Sequence, residues 1–182
     1  MKRLTAQDWI DEAFRDFACG GVDRVRVERL AASLGVTKGS FYWHFKNRQE
    51  LLDAMLSHWE ETGTKRIIER VDAAVQDPRD RIKTLIEFAM VVSETEAAID
   101  AKLRVWAATD DKTAAVLARV DKRRVGYVVQ LFRAIGVTQP RHRATALYRM
   151  MIGEYTWRTA GNAKASHAFI QTAVALILAP DR

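Results

Sequence analysis

The sequence predicts an all-α fold: a three-helix head followed by a larger helical bundle, about nine helices in total. Three observations lead there. Apolar residues recur at three- and four-residue spacing along most of the chain, and no stretch alternates as a strand would. Only three prolines interrupt the 182 residues. Cap and stop residues bracket most periodic segments, with Ser, Thr, Asn or Asp before and Gly or Pro after. At 48% hydrophobic and 29% charged, the chain can bury a real core and does not read as disordered.

Residues 5 to 19 read as the first helix. Thr5 and Asp8 suggest a capping box with Asp in place of Glu. Trp9, Ile10, Ala13, Phe14 and Phe17 form one apolar stripe, and Gly20-Gly21 ends it. Val27, Leu30, Ala31 and Leu34 then share one face of a short helix. Gly35 permits a left-handed turn, Thr37 is placed to cap the next helix, and Phe41 and Phe45 follow at i, i+4. That succession is a helix-turn-helix pattern: a small residue where helices cross, a glycine at the turn, and apolar plugs behind it.

Asn47, with Glu50 three residues on, opens a long helix carrying Leu51, Leu52, Met55, Leu56 and Trp59, continued by Ile67, Ile68 and Val71. Gly63 within it costs about 1 kcal/mol against Ala and marks a site for a bend. Asp77-Pro78 begins the next helix, with Ile82, Leu85, Ile86 and Ala89 on its buried face. Further helices span about 95–108, 112–135 (closed by Gly136), 140–160 (opened by Pro140, ended by Gly161-Asn162) and 166–178 (stopped by Pro180). The expected division is a helix-turn-helix unit over 1–48 and a larger helical unit over 49–182.

Composition narrows the setting. The single cysteine, Cys19, excludes an internal disulfide and a Cys-based zinc site, and it reads as a small buried residue. The N-terminus has no apolar signal region, and the apolar tract from Phe169 to Ala179 is too short to span a bilayer. A reducing cytoplasm is the expected location. The net charge is +6, and between Arg24 and Arg48 six cations face Glu28 alone. A surplus that local points to a polyanion.

The stretch TKGSFYWHFKNRQ, residues 37 to 49, sharpens this. Five consecutive rings cannot share one face. Phe41 and Phe45 turn inward, so some of Tyr42, Trp43 and His44 must turn out, beside Lys38, Lys46 and Arg48. Tyr42 and Trp43 can pack on sugars or thymine methyls, or simply between head and long helix. His44 can meet a phosphate or make a structural hydrogen bond, and Lys46 can be a solvated loop charge. A recognition helix of about seven residues is only about 10 Å long, so a two-fold dimer is needed to read a useful site.

The run LAASLGVTKGSFYWHFKNRQELL resembles the N-terminal domain of TetR-type transcriptional regulators over about the first third of the chain. The resemblance implies an all-helical homodimer that binds operator DNA and, in the larger part, a small-molecule effector; repression is the family default. Carried over residue by residue, it implies DNA contacts from Thr37, Lys38, Gly39, Ser40, Tyr42, His44 and Arg48, to which charge and ring exposure add Trp43 and Lys46. Arg26 stands where many members have a capping Thr, and could reach a phosphate instead.

In the larger part, Phe88, Trp106, Tyr127, Met150, Glu154, Tyr155 and Trp157 are candidates for a hydrophobic effector cavity. For Glu154 the alternative is a salt bridge to a nearby Arg. Leu147, Met151 and Gly153 on one helix, and Phe169, Ala173, Leu176 and Ile177 on the last, are candidates for the dimer face. No cofactor is expected. The four histidines show no metal-ligand spacing, and neither a phosphate-cradling Gly loop nor a nucleophile elbow is present.

Overall fold

The structure, a computed structural model, describes residues 4–179. Pro180, the expected stop of the last helix, lies outside that range. The head comprises α1 (Ala6–Gly20), α2 (Val27–Ser33) and α3 (Lys38–Phe41), with a 3₁₀ turn (Val22–Arg24) between the first two. α4 (Arg48–Glu60) runs through a π-helical turn (Glu61–Lys65) into α5 (Arg66–Ala74). The body adds α6 (Pro78–Val91), α7 (Glu94–Ala107), α8 (Asp111–Ala134), α9 (Pro140–Thr159) and α10 (His167–Leu178). With α4, the π turn and α5 taken as one bent rod, the described residues hold the expected nine. The π turn contains Gly63, the site marked for a bend. No helix of the described residues is long and apolar enough to cross a membrane.

Local chemistry accounts for the ends. The Thr5–Asp8 box is reciprocal: the Thr5 N–H donates to Asp8 at 2.6 Å and the Asp8 N–H to the Thr5 hydroxyl at 3.3 Å. α2 ends in a Schellman motif. Gly35 takes φ 67°, Val36 donates to the Ala31 carbonyl at 3.0 Å, and Gly35 to Ala32 at 3.1 Å. Asn47 caps α4 through the Glu50 N–H at 2.9 Å, but the Glu50 carboxylate reaches back to Lys46 at 2.5 Å. The box expected there is therefore shifted by one residue on its return side. Thr37 occupies the N-cap position of α3 without making a side-chain cap.

Two apolar clusters form the core. The first gathers Trp9, Phe17, Leu30, Phe41, Leu51 and Met55, and continues into the body through Leu103, Trp106 and Val120. Phe17 and Trp106 meet with ring centroids 5.9 Å apart. The head is thus packed onto α7 and α8, and its core crosses residue 48. Burying a side chain such as Phe41 fully contributes about 1.5–3 kcal/mol. The second cluster joins Val71, Ile82, Ile86, Tyr127, Phe132, Ala144 and Leu147.

Cys19 departs from its reading as buried and is exposed. The α1 stripe passes through Trp9, Ala13 and Phe17, and Cys19 lies about 200° further round the helix from Phe17.

Candidate nucleic-acid interface

The five rings divide as their helical spacing requires. Phe41 packs edge-on against Trp9 at 5.3 Å and lies 5.5 Å from Phe45. Both Phe41 and Phe45 are buried, while Tyr42 is 55% and Trp43 85% exposed. His44 is half-buried and Lys46 exposed. The regular part of α3 is four residues long, shorter than the seven expected. Beyond it the chain makes a turn, with the His44 N–H on the Phe41 carbonyl at 2.9 Å.

Lys38 stands at the start of α3 and forms an ion pair with Glu28 of α2. The hydrogen bond from Lys38 holds the Glu28 carboxyl below its ordinary range, and the same bond raises Lys38. Both are exposed, so the contact can open to a phosphate. Gly39 is exposed and Ser40 half-buried on the same turn. Arg26 holds the N-cap position of α2 with no side-chain cap, as its departure from Thr implied. Its Nε donates to the Asp23 carbonyl at 3.0 Å and the residue stays exposed.

Arg48 is placed differently from its expected role at the DNA backbone. Its Nε donates to the Val25 carbonyl at 2.6 Å and its Nη2 to Val22. It therefore ties the first turn of α4 to the 3₁₀ turn of the head. Asp16, which the sequence reading passed over, plays a matching part. It is buried and accepts from Arg29 Nε at 2.8 Å and Arg24 Nε at 3.3 Å. A carboxylate seven residues after Trp9, on the apolar stripe, was the available signal. Arg24, Arg26 and Arg29 line one open cleft with Gly20 and Asp23.

Residues 10–55 match the family described as bacterial regulatory proteins, tetR family. The match covers this N-terminal segment of the chain, over which it is similar to the regulators of that family. The TtgR regulator of Pseudomonas putida is 43% identical over 53 residues, 29% of this chain and 25% of that protein. The class D tetracycline repressor of Escherichia coli is 38% identical over 55 residues, 30% of this chain and 25% of the repressor. The match thus spans about a quarter of each relative's length. A transcriptional regulator from Saccharomonospora viridis, solved in complex with choline, shares the fold with a TM-score of 0.81 at 18% identity, covering 94% of each chain. For the body of this chain, the likeness is one of fold.

The seven residues expected around an effector are spread over both apolar clusters and the surface. Trp106 belongs to the first core and Tyr127 to the second. The Tyr127 hydroxyl donates to Asp72 at 2.7 Å and that of Tyr155 to the Ala89 carbonyl at 2.8 Å. Burial first, together with neighbouring carboxylates, pushes both phenols up. Phe88 lies under the Arg70 guanidinium at 5.0 Å, and Met150 packs on the second cluster. Glu154 accepts the Ala165 N–H at 2.9 Å in place of an Arg partner. Trp157 is 58% exposed. A groove lies elsewhere in the body, about 500 Å³ between α6 and α10, lined by Ile86, Met90, Ile170 and Val174 together with the polar Lys83, Glu87, Lys164, His167 and Gln171.

The residues expected at a dimer face also divide. Leu147 is 2% exposed within the single chain, because the second cluster consumes it. Met151 and Ile177 pack against that cluster, and Ala173 is half-buried. Gly153, Phe169 and Leu176 remain exposed. Trp157 stands four residues from Gly153 and so shares its face.

Proposed function

We propose that the chain is a dimeric repressor that reads a palindromic operator and is released by a small apolar effector. The observation that carries it is the outward pair Tyr42 and Trp43, set beside Lys38 and Lys46 on a buried Phe41–Phe45 hinge. Cations supply affinity through counterion release, and the exposed rings supply contacts to sugars and bases. Lys38, Ser40, Tyr42 and Trp43 are assigned to the groove, with Thr37, Gly39 and His44 beside them. Arg26 and Lys46 are assigned to flanking phosphates. Arg48 is reassigned as a brace of the head.

Dimerisation is supported by α10. It is strongly apolar, yet none of its residues is buried within the chain. Trp157, Phe169 and Leu176 would be covered by the same face of a second copy, giving a four-helix contact. Two recognition elements then stand about one DNA turn, roughly 34–36 Å, or somewhat more apart. The effector is assigned to the α6–α10 groove. Its lining is mostly apolar, which favours an apolar ligand. On α10 the groove residues Ile170 and Val174 face away from Phe169 and Leu176, so an occupant would press on the dimer contact from behind.

The test is to incubate the protein with sheared DNA of its own genome across a salt series and to sequence what is retained. One enriched palindrome is expected. Sequence-blind retention with a steep salt slope would overturn the reading. Trp157→Glu with Leu176→Glu should give monomers in sedimentation and lose the palindrome.

A further inference from the structure

Between the two apolar clusters lies a polar network centred on Arg124 of α8. Its Nη1 donates to Asp100 of α7 at 3.0 Å and to the Tyr148 hydroxyl of α9 at 3.4 Å. Its Nε donates to the Thr64 hydroxyl at 3.0 Å and its Nη2 to the Gly63 carbonyl at 3.1 Å. Its Cζ lies 5.0 Å from the ring centroid of Trp59 in α4. One guanidinium therefore grips the π turn from the side and anchors it to two body helices. Arg104 completes the network. It bonds Asp100 at 3.0 Å, Asp121 at 3.1 Å through each terminal nitrogen, and Tyr148 at 3.2 Å.

Two features argue that this arrangement sets a geometry. A balanced set of two arginines and two aspartates is a costly way to fill an interior, since apolar side chains of similar volume often do as well or better. What charge provides is directed bonding, and the planar fork of Arg fits several acceptors at fixed angles where Lys cannot. The feature it fixes is also unusual. A π turn inserts about one residue into the helix and rotates everything before it relative to everything after. Everything before it here is α4, which Arg48 fastens to the head.

We propose that Arg124 is a positioning residue for DNA reading: by holding Gly63 and Thr64 in the π turn, it sets the aim of the head relative to the body. In a dimer it thereby sets the separation of the two recognition elements. The operator consequence rests on the regulator reading above; the geometric claim does not.

The experiment uses the full chain. Cys19 is exposed on the head and is the only cysteine. A second label site is made on the body by Arg141→Cys, at an exposed residue. Spin-labelled protein is diluted with unlabelled protein so that the head-to-body distance within one chain is read. Each sample is also tested on operators whose half-sites are moved by single base pairs. The parent chain should give one narrow distance and one preferred spacing. Arg124→Lys and Thr64→Val should keep helix content but broaden or shift the distance, and relax the spacing preference. Unchanged distance in both variants would overturn the proposal, as would an affinity loss equal at every spacing. If Arg124→Lys fails to fold, Thr64→Val decides alone. A parent chain that reads no palindrome would sink the regulator reading, while the distances would still judge Arg124.

Discussion

The head and the middle of the body are both assembled from crossing helices, yet different forces hold them. In the head, rings and aliphatic side chains fill the space around Phe41, and the charged groups Asp16, Arg24, Arg29 and Arg48 brace its edge. In the middle of the body, the space between α7, α8, α9 and the π turn is filled by Arg104, Arg124, Asp100, Asp121 and Tyr148. The first is tolerant in angle, because dispersion and burial are non-directional. The second is specific in angle and intolerant of losing one member. The difference suits a part that must be stable and a part that must set an orientation.

The largest expected effect lies in the head. Phe41→Ala should cost about 3–5 kcal/mol, since the residue is wholly buried against Trp9 and Phe45. Urea unfolding should still show one transition, because Phe17 and Trp106 join head to body. Two separate transitions would break the comparison, making the head an independent lobe. In the body, Arg104→Met should cost about 3 kcal/mol by leaving Asp100 and Asp121 short of a partner. Converting both arginines to Met and both aspartates to Leu should recover most of that loss in the same assay. A fourfold variant no more stable than the single one would mean that the network does stabilise the fold.

The two regions also differed in how far the sequence revealed them. The head's contacts are local, so helical spacing placed Phe41 and Phe45 inside and Tyr42 and Trp43 outside, and Gly35 announced its turn. Periodicity cannot say which of two apolar partners claims a helix face. That is why Leu147 falls in the core, Trp157 on the outer face, and the α6–α10 groove at residues outside the expected set. The network was hidden for another reason. Arg124 meets Thr64 across 60 residues and Arg104 meets Tyr148 across 44. Asp100 did leave a trace, as a carboxylate three residues before Leu103 on a buried stripe. Arg48 matched a family position for DNA contact, but only the fold shows its fork already engaged by two carbonyls.

On the DNA side the expected changes are moderate. Lys38→Ala and Tyr42→Ala should each weaken operator binding roughly tenfold while the dimer persists. Lys38→Ala should also lower the salt slope by about one, as loss of one phosphate contact requires. Unchanged affinity in both would sink the docking proposed for α3. Glu28→Gln sharpens the point. It frees Lys38 from its ion pair, so affinity should rise a few-fold at low salt, the gain shrinking as salt screens the parent contact. A fall in affinity would mean that Glu28 holds Lys38 in its reading position.

The smallest effect tests the seam between the two regions. Glu60 of α4 pairs with Arg119 of α8 at 2.6 Å, and Asp53 of α4 with Lys112 of α8 at 2.7 Å. Hydrogen bonds from Arg119 and Lys112, chief among the causes, hold the two carboxyls below their ordinary values of 4.5 and 3.8. A carboxyl whose pKa falls on folding stabilises the native state above its ordinary pKa, and that contribution is lost as pH falls through the lowered value. Tm should therefore be insensitive to these pairs between pH 7 and about 5, and decline below about pH 4. Because the pairs lie near solvent, their contribution should be small. Glu60→Gln with Asp53→Asn should lower Tm slightly at pH 7 and flatten the acid limb. An acid limb as steep as that of the parent would move the pH-sensitive joint away from the α4–α8 seam.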